Sequence, residues 1–153
     1  MTKDEMIARA TEVFDIEIEG LRKVRDSLGQ SFADAIALML DCVRNDGIIV
    51  VTGVGKNLAI AEKMSAIFAS TGTRSIVLNP VQAMHGDLGM VSSRDLLIAL
   101  SFSGESEEVV RLIPAIRRHG LKVVFCSSLL KMNCVSVETS GIWFANLMMG
   151  TIL

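Results

Sequence analysis

Tyrosine is absent from this 153-residue chain, histidine and proline occur twice each, and cysteine occurs three times. Cys42, Cys126 and Cys134 form an odd set without C-x-x-C spacing, and the two histidines are too few to build a zinc site around them. Neither a disulfide framework nor a structural metal is expected, and reduced thiols in a cytosolic protein account for the three residues. No charge sign dominates, with 15 Lys+Arg against 17 Asp+Glu and a formal net charge of −2, so no basic surface invites nucleic acid. No apolar run is long enough to span a membrane. The stretch 59–68 is interrupted by Glu62 and Lys63 and falls short of the roughly 20 residues required. The N-terminal MTKDEMIARATEV mixes both charge signs where a signal peptide carries an apolar region of about 7–15 residues, so a cytoplasmic location is expected. What the chain does have is a hydrophobic content of 50% and nine methionines, which suit adaptable packing or ordinary core filling equally well. A chain of this size buries roughly 70% of its unfolded surface, enough for one domain without a covalent staple.

Hydrophobic spacing predicts an amphipathic helix over 3–28, carrying Ile7, Ala10, Val13, Phe14, Ile16, Ile18 and Leu21 and stopped by Gly29. A second helix is expected over 31–44 with Ser31 as N-cap, followed by a turn at Asn45-Asp46-Gly47. Ile48-Ile49-Val50-Val51 is continuously apolar and β-branched, as in a strand buried on both faces of a parallel sheet. A helix over 57–70, a strand over 75–78, an irregular stretch over 79–90, a strand over 96–100, a helix to His119 interrupted at Pro114, and a strand over 123–126 follow. Ile142–Ala145 is a candidate fifth strand. The alternation predicts an open parallel α/β sheet of about four to five strands flanked by helices, of flavodoxin or Rossmann type. The expected layout is helices over 1–46, an α/β core over 47–126 and a tail over 127–153.

Ligands of open α/β sheets bind outside the carboxyl ends of the strands. Two loops there carry chemistry. In Thr52-Gly53-Val54-Gly55-Lys56-Asn57 two glycines allow close backbone approach, and Lys56 opens the next helix. A dinucleotide fingerprint fails because Leu58 occupies its third glycine position and no acid ends the second strand. A P-loop fails at Val50 and Asn57. In Ser101-Phe102-Ser103-Gly104-Glu105-Ser106 three hydroxyls meet a helix start, which suits either a phosphate or simple capping by one serine. The serine-hydrolase elbow is not met, since Ser101 and Glu105 stand in its glycine places. Between strands two and three, Met84-His85-Gly86-Asp87-Leu88-Gly89-Met90 reads as a turn in which Asp87 binds backbone N–H groups. His119, before Gly120, is a helix C-terminal residue without a catalytic role.

Together the turn at Gly53–Lys56, His85-Gly86-Asp87-Leu88-Gly89-Met90 and Ser101-x-Ser103-Gly104-Glu105-Ser106-x-Glu108, in this order within 41–124, resemble the sugar isomerase (SIS) domain. The histidine motif resembles the arabinose-5-phosphate isomerase branch in particular. That resemblance implies conversion of arabinose 5-phosphate to ribulose 5-phosphate, on the route to the Kdo sugar of bacterial outer membranes, without an organic cofactor or metal. It implies that Ser101, Ser103 and Ser106, with N–H groups around Gly104, hold the sugar phosphate, and that Gly53, Gly55 and Asn57 form a substrate loop. Lys56, His85 and Glu108 match active-site positions: Glu108 as base, His85 for ring opening or hydroxyl proton transfer, Lys56 for the oxyanion. It also implies a homo-oligomer, dimer or tetramer, with the N-terminal helix as a candidate contact surface. Two ligand-loop positions depart from the family pattern, Asn57 for Ser and Phe102 for Asn, and both bear on substrate choice. The family's CBS domains and two further active-site residues, a glutamate and a histidine, find no match here, and Glu138 lies in a poorly matching region. A non-catalytic sugar-phosphate-binding module and a truncated remnant of the enzyme are therefore the competing readings.

Overall fold

Alternate residues of the central strands belong to two different apolar clusters, and this sorting fixes the architecture. In a computed structural model that describes residues 1–127 and 141–145, β1 spans Ile49–Gly53, β2 Ser75–Val77, β3 Leu96–Leu100, β4 Lys122–Ser127 and β5 Gly141–Ala145. Val50, Leu97, Ala99 and Phe125 face one side, while Ile49, Val51, Leu96, Ile98, Leu100 and Val124 face the other. Side chains two apart share a face of a strand, so a sheet covered on both sides needs continuous apolar runs rather than alternation. The first face is covered by α5 (Glu107–Arg118), through Val109, Leu112 and Ile116, and by the short α4 (Pro80–Ala83). The second is covered by α2 (Gln30–Arg44), through Ala35 and Cys42, and by α3 (Lys56–Ser70), through Ala61.

All strand pairs are parallel, in the order β2-β1-β3-β4-β5. The order reverses direction between β1 and β3, and that reversal opens a crevice at the strands' carboxyl ends. The two loops singled out from the sequence flank it. Asp95, 5% exposed, closes the opposite end of the sheet: its carboxylate accepts from the N–H groups of Ile48 (2.8 Å) and Ser92 (2.6 Å) and from the Ser92 hydroxyl (3.1 Å). A buried carboxylate with three donors is satisfied, so it ties the starts of β1 and β3 together.

Several elements differ from expectation in their ends. α2 is capped at Gly29 without a side-chain hydrogen bond, so Ser31 lies inside its first turn and is not the N-cap. The stretch after β2 is less irregular than expected: Asn79 caps α4 by accepting from the N–H groups of Val81 and Gln82, and Asp87–Met90 forms a 3-10 turn. α5 runs as one helix through Pro114, with His119 as its C-cap. The proline lacks the N–H that would bond the Val110 carbonyl, and the rest of the helix carries on around that missing bond.

The first helix, α1 (Lys3–Ser27), is amphipathic as expected, yet among its residues only Gly20 is buried. Ile7, Phe14 and Leu21 stand 66%, 69% and 67% exposed at intervals of seven residues, a seam left open within the described chain. No helix among the described residues is long and apolar enough to cross a membrane. Cys42 and Cys126 are free thiols; burial raises the pKa of both, that of Cys126 to about 11, so neither is a nucleophile near neutral pH. Cys134, Glu138 and most of the tail lie outside the described residues.

Candidate active site

β1 delivers its last residue, Gly53, directly beneath the first turn of α3. A Cβ on Gly53 would lie 2.9 Å from the Cβ of Asn57 and 3.0 Å from its carbonyl carbon and oxygen, so only glycine lets the helix press onto the strand end. Gly55, the N-cap of α3, has φ 58° and ψ −126°, a backbone region that side chains disfavour. These two glycines bring Lys56 and Asn57 to the carboxyl end of β1. Lys56 is exposed and Asn57 is buried.

Across the crevice, β3 ends at Leu100, paired in register with Gly53, and the chain enters the serine loop. The N–H of Ser101 donates to the Cys126 carbonyl (3.0 Å), which extends the ladder one residue and buries Ser101 to 1% exposure. Its Oγ accepts from the N–H of Gly104 (3.1 Å), where φ is +74°, and lies 2.9 Å from the Oγ of Ser106. Ser103 Oγ accepts from the N–H of Glu105 (3.1 Å). Ser106 is the N-cap of α5, but its hydroxyl makes no capping bond. The simple capping reading of this loop therefore fails. The three hydroxyls use one proton among themselves, between Ser101 and Ser106, and the other two have no acceptor among the described residues. The N–H groups of Gly104 and Glu105 donate to the hydroxyls of Ser101 and Ser103. The first-turn N–H groups of α5 have no partner within the helix and present its positive end.

His85 follows α4, itself packed against α5, and is exposed, as is Glu108 in the first turn of α5. Lys56, His85 and Glu108 thus all belong to the carboxyl-end side of the sheet, but among the described residues none of their side chains hydrogen-bonds another. Among the described residues Asp87 makes no side-chain bond to backbone N–H groups, contrary to the turn expected from its spacing. No cluster of three or more metal-ligating side chains occurs among the described residues.

Two supporting residues escaped the sequence. Thr52 Oγ1 donates to the Leu78 carbonyl (2.6 Å), fixing the point from which the His85 segment departs. Ser127, at the end of β4, donates to the Phe102 carbonyl (3.1 Å) and holds the serine loop from its far side. Thr52 opens the glycine loop and Ser127 ends β4, but nothing in the sequence marks the bond that either makes.

Comparison with known proteins agrees with this geometry. Residues 43–130 match the model of the SIS domain. Arabinose 5-phosphate isomerase KdsD of Salmonella typhi is 48% identical over 107 residues, 70% of this chain and 32% of that protein. The KdsD of Francisella tularensis is 39% identical over 122 residues, 80% of this chain and 37% of that protein. The chain therefore spans about a third of the length of the curated relatives it matches. The solved structure of E. coli CFT073 c3406 in complex with arabinose 5-phosphate superposes with a TM-score of 0.81 at 31% identity, covering 94% of this chain and 74% of that one. With more than half of its residues in the matched segment, this chain belongs to the SIS domain family.

Proposed function

We propose that this chain is a sugar-phosphate aldose–ketose isomerase that converts arabinose 5-phosphate to ribulose 5-phosphate through an enediolate. One observation carries the reading: a serine loop at the reversal point of the sheet, rooted in the buried Ser101, with two hydroxyl protons that have no acceptor among the described residues and a helix start whose cap hydroxyl is not used for capping. An anion is what such a loop lacks. The similarity to KdsD proteins, and to a structure holding arabinose 5-phosphate, supports that anion being the phosphate of a pentose.

The chemistry divides among three residue types. With the phosphate on Ser101, Ser103 and Ser106, Glu108 removes the proton from C2, and the C–H electron pair becomes the C1–C2 double bond of the enediolate. Lys56 stabilises the charge that develops on oxygen. His85 opens the ring and moves the hydroxyl proton from O2 to O1, and return of the carbon proton to C1 completes the ketose. No organic cofactor or metal enters the scheme. This SIS domain acts in the cytoplasm, without nucleic acid as a ligand. Incubation with arabinose 5-phosphate should yield ribulose 5-phosphate. Saturable binding without any ketose would favour the second reading, a binding module.

The same reading includes a homo-oligomer. The heptad-spaced Ile7, Phe14 and Leu21 of α1 match an α1 of a second copy, and covering them would remove a large exposed apolar stripe. Wild-type protein should sediment as a dimer or larger, and the double substitution Phe14→Asp, Leu21→Asp should shift it to monomer. A wild-type monomer at micromolar concentration would contradict this.

A further inference from the structure

At the amino ends of the strands, the end away from the serine loop, an arginine stands on each side of the start of β1. Arg74 immediately precedes β2 and Arg94 lies two residues before β3, and β2 and β3 are the two neighbours of β1. Arg74 Nη1 donates to the Asp46 carbonyl (3.2 Å), while a Cβ on Gly47 would lie 2.2 Å from the Arg94 carbonyl oxygen. The turn before β1 is thus clasped from both sides, and only glycine fits at position 47. Neighbouring strands lie about 4.8 Å apart, so the two arginines leave the backbone about 10 Å from each other. Both line a cleft of about 460 Å³, together with Asp46, Ile48, Met90 and Asp95. A hollow of that size accommodates a small metabolite.

The charges around the cleft are unequally engaged. Asp95 already accepts from three donors with its buried carboxylate, and Asp46 makes no ion pair with either arginine among the described residues. The Arg94 guanidinium makes no hydrogen bond or ion pair among the described residues, and Arg74 uses one of its five donors, on a carbonyl. By contrast, Arg9, Arg22, Arg25 and Arg111 each pair with an acid of their own helix. Lys122, in an adjoining hollow of about 290 Å³ that shares Arg94, is already taken by Asp41 at 2.9 Å. Two planar guanidinium forks therefore open on one cleft, and neither holds a carboxylate. A carboxylate presents a single two-oxygen edge, whereas the terminal oxygens of a phosphoryl group present several and can serve both forks at once.

We propose that this cleft is a second anion site, which holds a small phosphate-bearing ligand between Arg74 and Arg94. The five residues of β3, about 16 Å of extended chain, separate it from the serine loop, so the phosphate bound there and the phosphate bound here belong to different molecules. The site does not depend on turnover at the crevice.

Amide NMR titrations at fixed ionic strength resolve the two sites. Inorganic phosphate and glycerol 3-phosphate are added separately to wild-type protein, to the R74Q/R94Q double variant and to D46N. The amides of residues 89–95 should shift saturably in wild type and require at least about tenfold more ligand in R74Q/R94Q, since each charged hydrogen bond lost costs about that factor. Shifts at residues 103–108, in the serine loop, should keep the same midpoint within about twofold in both proteins. D46N, which removes the acid facing the ligand, should bind at least as tightly as wild type. Tighter binding of the free ion or of the ester supports the site in either case and tells which of them it takes. Shifts confined to residues 103–108, or equal midpoints at 89–95 in wild type and R74Q/R94Q, would overturn the proposal. Succinate saturating the same amides as tightly as phosphate would overturn the choice of phosphate. Should the double variant not fold, R94Q alone gives the comparison, because the Arg94 side chain makes no contact of this kind that folding needs.

Discussion

Glu108→Gln is expected to lower kcat on arabinose 5-phosphate by about 10²–10⁴-fold, the usual span for loss of a positioned general base. The amide keeps the size of the carboxylate but cannot take the C2 proton. Glu108 is exposed in the first turn of α5 and makes no side-chain hydrogen bond among the described residues, so no folded contact is lost. A carboxylate there also favours the helix dipole, worth about 0.3–1 kcal/mol in such positions, which limits the stability change. Affinity for arabinitol 5-phosphate should stay within about twofold, since the phosphate is held by the serines and not by this residue. The two measurements together separate a base from a binding residue. Turnover within tenfold of wild type would remove Glu108 from the role.

Gly53→Ala is expected to damage stability and activity together. The new methyl would meet the Asn57 Cβ at 2.9 Å and the Asn57 backbone at 3.0 Å. Backbone atoms cannot rotate away as a side-chain tip can, so the first turn of α3 must lift from β1. Overpacking of this kind costs about 1–3 kcal/mol, and for a chain of this size that lowers Tm by roughly 2–12 °C. The displaced turn carries Lys56 and Asn57, so turnover should fall by more than the unfolded fraction explains. Thermal unfolding and kcat/KM, both measured well below the transition, read the two effects. An alanine variant with unchanged Tm and rate would show that the strand and helix are not held this tightly.

Much of this architecture was legible in the chain because parallel strands buried on both faces need unbroken apolar runs. Ile49–Val51 and Leu96–Leu100 supplied them. The positions of the loops were legible for a related reason: the glycine pair and the serine cluster each follow an apolar run that reads as a strand. What the sequence could not show was competition for hydrogen bonds. Whether Ser106 caps α5 or pairs with Ser101 depends on a contact five residues away, and the structure shows the second. The N–H groups of Gly104 and Glu105 belong to the same competition. Asp87 was expected to build a turn from its own spacing, but the 3-10 segment closes through backbone bonds instead. Thr52 and Ser127 bond carbonyls 26 and 25 residues distant, and no local pattern encodes such partners.

The central claim is that this crevice removes a proton from the carbon beside the carbonyl of a pentose phosphate. Proton NMR of arabinose 5-phosphate with the purified chain in heavy water tests it most directly. The account predicts ribulose 5-phosphate together with deuterium at the second carbon of the remaining aldose, both lost in the Glu108→Gln variant. Retention of the C2 proton and absence of ketose, while the sugar-phosphate signals still broaden on binding, would contradict it.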